Sequence, residues 1–173
     1  QIRFVEVLKV WGLSYLGNVV GALFAALVFA YMTGLLSMQQ PWTPFVFKLA
    51  EHKLDAPFLV VFVKGILANM LVCLATWQGY SAKDTLGRMV GIWAPVMTFV
   101  ALGMEHSIAN LFFIPAAMMG GLHATVGEFV VNNLIPATLG NIVGGAIFIG
   151  LPYAWLYSET EGKIDEASDA NLP

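Results

Sequence analysis

Charge and cysteine are what this sequence has least of. Only 11% of its 173 residues are charged, 8 Lys or Arg against 11 Asp or Glu, too few to cover the surface of a soluble domain. They form no basic block, which argues against nucleic acid as a partner. The single cysteine, Cys73, excludes an intrachain disulfide, and its place inside an apolar run reads as a small buried hydrophobe. No glycine-rich phosphate loop is present, so ATP-driven transport is not supported. Glu105-His106 is followed by no second histidine at metal-ligand spacing, so neither a zinc site nor any other cofactor is expected. An intramembrane enzyme using that pair as acid and base is the weakest reading, because no nucleophile or metal cluster accompanies it.

What the sequence has in abundance is apolar length. A hydrophobic content of 58% and a mean hydropathy of +0.76 describe an all-α polytopic membrane protein. The first apolar run is too long for a signal-peptide core and has no cleavage site after it, so a span is expected over about 10–33. Within it Gly17 and Gly21 make a G-x-x-x-G step, which lets a neighbouring helix approach closely. A polar connection over 34–56 carries Lys48, Glu51, His52, Lys53 and Asp55. A second span is expected over 57–78, with Lys64 inside it either snorkelling to the interface or lining a contact. A fourth is expected over 133–157, entered through Pro136 and ending in Tyr153, Trp155 and Tyr157. Together these make a membrane domain over 1–157, and the acidic stretch 158–173 reads as a disordered tail.

The third element is the anomaly. Met89 to Met119 is 31 residues, which as one helix would be about 46 Å long, against a hydrocarbon core of about 30 Å. Gly103 and Glu105-His106 lie near its centre, so this element, 89–119, is expected to break near 103. An ionisable pair at membrane depth is by default a functional-site hypothesis. His106 stands at the start of the second half-helix, where backbone N–H groups and the positive dipole end favour an anion. Asn110 follows at i+4 on the same face.

If the third element crosses once, the chain crosses four times and both termini share a side. That side holds Arg3, Lys9, Lys83, Arg88 and Lys163 against Lys48 and Lys53 opposite, which places the termini in the cytoplasm by the positive-inside rule. The first and last spans also repeat each other. Leu16-Gly-Asn-Val-Val-Gly-Ala22 matches Leu139-Gly-Asn-Ile-Val-Gly-Gly-Ala146 apart from one inserted glycine. The two copies run in opposite directions, the signature of an inverted repeat whose site forms at the repeat interface. In the second copy a plain span and a broken one precede the motif helix, so two further elements are expected ahead of the first copy, giving four of six spans here.

These residues resemble the formate/nitrite transporter family. The resemblance covers every span and rests on G-N-V-V-G-A at 17–22, G-I-L-A-N-M-L-V-C-L-A-x-W at 65–77, E-H-S-I-A-N-x-F-x-I-P at 105–115 and N-L-I-P-x-T-x-G-N-I-V-G-G at 133–145. It implies an aquaporin-like inverted-repeat helical bundle with a broken pore-lining helix, one pore per protomer, a homopentamer, and a place in the plasma or inner membrane. It implies a carrier of small monovalent weak-acid anions, formate or nitrite, channel-like or proton-coupled, and not an enzyme. It implies His106 as the central pore histidine and Asn110 as its partner. Glu105 would pair with Lys53, which attracts anions in the outer vestibule. Val72 and Phe99 would be constrictions, and Asn69 and Asn141 polar pore residues. The family's other broken helix, with its threonine loop, is expected outside this sequence.

On that reading the imidazole either donates a hydrogen bond or, protonated, holds the anion or hands it a proton, so that a neutral acid crosses the apolar constrictions. Desolvation and the neighbouring Glu105 act on its protonation in opposite senses. The alternative is a structural or assembly subunit of a larger membrane complex, in which Asn110 is interhelical glue.

Overall fold

The computed structural model describes residues 3–157, and the tail expected over 158–173 lies outside them. We number the helices α1 Phe4–Tyr31, α2 Thr43–Asp55, α3 Phe58–Ser81, α4 Thr85–Ala101, α5 Ser107–Met119 and α6 Val126–Tyr157. No strand occurs among the described residues. Three of these helices, α1, α3 and α6, are long and apolar enough to cross a membrane. At 17 and 13 residues, α4 and α5 reach only about 26 and 20 Å, less than a hydrocarbon core.

The break between α4 and α5 has a local cause. Gly103 takes φ +61°, a conformation that glycine adopts without a Cβ penalty. The Met104 N–H donates to the Phe99 carbonyl and the Gly103 N–H to that of Val100, both at 3.0 Å. That pair of bonds is the Schellman arrangement, which satisfies the last carbonyls of a helix as it stops. Three residues later His106 begins α5 as its N-cap, its Nδ1 accepting the Ala109 N–H at 3.3 Å. One helix ends and the next begins with a cap on each side of the break.

The described chain forms two compact units. The first comprises the residues up to Val61 together with Glu105–Thr138, and the second Phe62–Met104 with the described residues from Leu139 on. In the first, α5 is the centre: Ser107, Asn110, Leu111, Ile114 and Ala117 are buried at helical spacing. They meet Ala50 and Leu54 of α2 and Phe129 of α6, with Tyr15, Val19 and Ala22 of α1 packed against the cluster. Tyr15 and Thr138 share a hydroxyl hydrogen bond at 3.0 Å. The polar connection of the sequence therefore contains an amphipathic helix, α2, whose inward stripe is Thr43, Ala50, Lys53 and Leu54.

In the second unit α3 and the later part of α6 touch at backbone distance. A Cβ built on Gly140 would meet the Phe62 carbonyl oxygen, and one on Gly144 that of Ile66. Trp77, Tyr153 and Tyr157 stack at the helix ends, with the Trp77 and Tyr153 centroids 4.5 Å apart.

Helix α6 departs from the sequence reading. It starts at Val126, seven residues before the expected Asn133, on a capping box in which the Glu128 N–H donates to Thr125 Oγ1 and the Thr125 N–H to Glu128 Oε2. Pro136 lies inside the helix. The turns just ahead of it, Phe129–Leu134, are wide π-type turns. Proline has no N–H to give to the preceding turn, and a widened turn accommodates that loss.

Candidate functional site

A buried polar cluster sits where α2, the break, α5 and α6 meet within the first unit. Glu105 is only 1% exposed, and its carboxylate is held from three helices. Lys53 Nζ of α2 lies 3.0 Å from Oε1. Asn110 Nδ2 of α5 donates to Oε2 at 2.7 Å, and Asn133 Nδ2 of α6 donates to the same oxygen at 3.0 Å. Asn133, fully buried, also donates to the Lys53 backbone carbonyl at 3.2 Å and accepts from Asn110 Nδ2 at 2.8 Å on its Oδ1. A buried ion pair is tolerable only when further hydrogen bonds satisfy its remaining lone pairs, and the two asparagines supply them here.

This geometry distributes the expected site residues unevenly. Lys53, Glu105 and Asn110 form one cluster, with His106 adjacent in sequence and half-buried as the α5 cap. Both hydrogens of the Asn110 amide nitrogen go to Glu105 and Asn133. The Lys53 ammonium is paired inside the protein. Sequence reasoning missed Asn133 as a member. Its signal was an asparagine in an apolar run, four residues past Phe129, but the run offers Asn132 equally, and only the wide turn decides which of the two faces inward.

The remaining expected residues lie in the second unit. Asn69 Nδ2 donates to the Asn141 carbonyl at 2.6 Å, and Asn141 Nδ2 to the Gly65 carbonyl at 2.8 Å. Gly145 packs against the Asn69 amide. Val72 and Phe99 are half-buried on α3 and α4. This second cluster is neutral, whereas the first contains a full ion pair. A groove of about 520 Å³ in the first unit is lined only by apolar side chains, Val19, Leu23, Leu111, Pro115, Phe129 and Val130 among them, and presents no side-chain donor to an anion.

Comparison with known proteins places this geometry. The family model for formate/nitrite transporters matches residues 1–155. An uncharacterized transporter, YrhG, of Bacillus subtilis is 42% identical over 151 residues, 87% of this chain and 56% of that protein. A probable formate transporter of Methanothermobacter thermautotrophicus is 41% identical over 162 residues, 85% of this chain and 58% of that one. The formate channel FocA of Escherichia coli K12 is 35% identical over 175 residues, covering 91% and 61%. The chain thus spans somewhat over half the length of these relatives. Among solved structures, a pentameric formate channel with formate bound superposes with a TM-score of 0.76 at 33% identity, over 88% of this chain and 67% of that one. An FNT family ion channel gives 0.81 at 33% identity, over 90% and 61%. With three apolar helices of spanning length and no strand among its described residues, and one match running almost end to end, the chain is an integral multi-pass membrane protein, and it belongs to the formate/nitrite transporter family.

Proposed function

We propose that this chain forms part of a homopentameric carrier of small monovalent weak-acid anions, formate or nitrite, with His106 as the group that meets the anion. The carrying observation is the cap. With Nδ1 accepting the Ala109 N–H, the neutral ring holds its proton on Nε2. That N–H then donates to a carboxylate or nitrite oxygen. The first turn of α5 adds the positive end of a helix dipole.

The second support is charge balance. Glu105, one residue away, would repel an anion if its charge were free, and Lys53 at 3.0 Å cancels it. Lys53 is therefore a compensating charge first, and its pull on anions is the residual field of the pair. Asn110, with its amide hydrogens engaged, orders Glu105 and leaves the anion to His106. Val72 and Phe99 serve as apolar constrictions that hydrated cations do not pass, and Asn69 and Asn141 as polar pore residues. The α4–α5 pair makes the broken, pore-lining helix of an aquaporin-like inverted repeat. Both termini face the cytoplasm, and the membrane is the plasma or inner membrane. Passage as the neutral acid requires the protonated ring: a solvent proton taken up at Nδ1 releases the Ala109 N–H. The imidazolium then gives its Nε2 proton to the anion and is left neutral. One proton crosses with each anion, which makes transport proton-coupled.

The test is uptake into liposomes by the full-length protein. Formate influx should rise as the external pH is lowered, and His106→Ala should reduce it by about a hundredfold, the lower end of what a positioned acid–base group contributes. Unchanged uptake by the His106→Ala protein removes the histidine from the mechanism. Absence of any formate or nitrite flux in the wild type favours an assembly subunit instead.

A further inference from the structure

We infer that Asn133 is a positioning residue: it fixes the Glu105 carboxylate, and through it the turn that presents His106. This rests on the reading of His106 as the anion-binding group.

Asn133, like Glu105, touches every other member of the cluster. Its amide nitrogen gives one hydrogen to Glu105 Oε2 and one to the Lys53 carbonyl, and its oxygen takes one from Asn110. It thereby ties α6 to α2, to α5 and to the break. Between the end of α4 and the start of α5, residues 102–106 are non-helical, and within the first unit the Glu105 side chain is buried and bonded to α2, α5 and α6. His106 follows by one peptide bond, so a rotation of the Glu105 backbone moves the imidazole directly. Asn133 reaches this place from the wide turns at Phe129–Leu134, and a single added residue per turn is a recurrent device for re-aiming a side chain at a functional site.

An asparagine here does what an aspartate cannot. Beside Glu105 Oε2 a second carboxylate would leave two like charges within hydrogen-bond distance, and one would have to take up a proton. That makes the role testable by exchange. Asn133→Asp alone should shift His106 and lower formate uptake per folded full-length protein by about tenfold to a hundredfold, the range expected of a reacting group displaced by an ångström. Glu105→Gln alone, which leaves Lys53 without its counter-charge, should do the same. Glu105→Gln combined with Asn133→Asp restores one carboxylate to the cluster and should exceed both single variants. Recovery is partial, because the Lys53 carbonyl then faces a carboxylate oxygen in place of an N–H.

Two readouts are taken on folded protein: formate uptake, and the rate at which diethyl pyrocarbonate modifies His106, mapped by mass spectrometry. Both should move in the single variants and return toward wild type in the double. A double variant whose His106 modification rate is no nearer wild type than the worse single overturns the proposal. So does a wild-type rate in Asn133→Asp. If neither Asp variant is recovered folded, Asn133→Ser decides, since it removes the same bonds without adding charge; a wild-type modification rate there overturns the inference. Wild-type protein that carries no formate while the modification rates behave as stated would sink the transport reading and leave the positioning role standing.

Discussion

In α6 the glycines and the asparagine of the step Gly140-Asn141-Ile-Val-Gly144 are buried, and an added Cβ on either glycine would strike a backbone carbonyl of α3. In α1 the step Gly17-Asn18-Val-Val-Gly21 is exposed, with nothing within 4 Å of either glycine's built Cβ. The asparagines differ in the same way. Asn141 donates across to the Gly65 carbonyl of α3 at 2.8 Å, whereas Asn18 donates back to Ser14 of its own helix at 2.8 Å. A G-x-x-x-G step lowers the steric barrier to close approach; it does not itself supply the helix that approaches. In lipid, where apolar faces gain little by leaving the solvent, van der Waals contact and the interhelical hydrogen bond must do that.

The comparison is broken most forcefully at Gly144. Gly144→Leu places a branched side chain against the α3 backbone, where no side-chain rotation relieves the overlap. Overpacking of about 1–3 kcal/mol or more is expected, read as loss of a monodisperse peak in detergent size exclusion. Gly21→Leu on α1 should leave that peak intact. If both behave alike, the two copies have equal surroundings in the folded protein and the contrast fails.

A smaller effect is expected at the asparagines. Asn141→Ala removes the donor to the buried Gly65 carbonyl, which costs about 1–3 kcal/mol, measurable as a lower unfolding temperature. Asn18→Ala removes only a bond within its own helix, from a side chain already exposed, and should shift that temperature little.

The mildest changes are Gly17→Ala and Gly21→Ala. With open space at both sites, helix propensity alone predicts a gain of up to about 1 kcal/mol each, read from the same unfolding curves. A loss in the full-length protein would reveal that another helix covers this face, making the first copy as closely packed as the second.

Much of this molecule was legible in its residues. The helical spans follow from apolar length, since a backbone in hydrocarbon must satisfy its own hydrogen bonds. The break at Gly103 followed from a helix too long for the bilayer, and the left-handed glycine is where it falls. Less legible was the start of α6. Pro136 reads as a helix entry by the usual preference, and the widened turns that let it sit inside a longer helix leave no mark in periodicity. The helix in the polar connection was also hidden, because its inward stripe includes Thr43 and Lys53, residues that count as surface until a partner is known.

By itself the sequence determined that the chain is a helical membrane protein, where its third element breaks, and that a histidine stands at the start of the helix after the break. These are consequences of composition and of interactions within a few residues. Tertiary structure decided how Lys53 and Glu105, 52 positions apart and expected to pair only by resemblance, are held from three helices, that Asn133 and not Asn132 completes their cluster, and that one glycine step is packed while its twin is bare. Those outcomes depend on which groups meet across helices, and identical residues in different surroundings meet different partners.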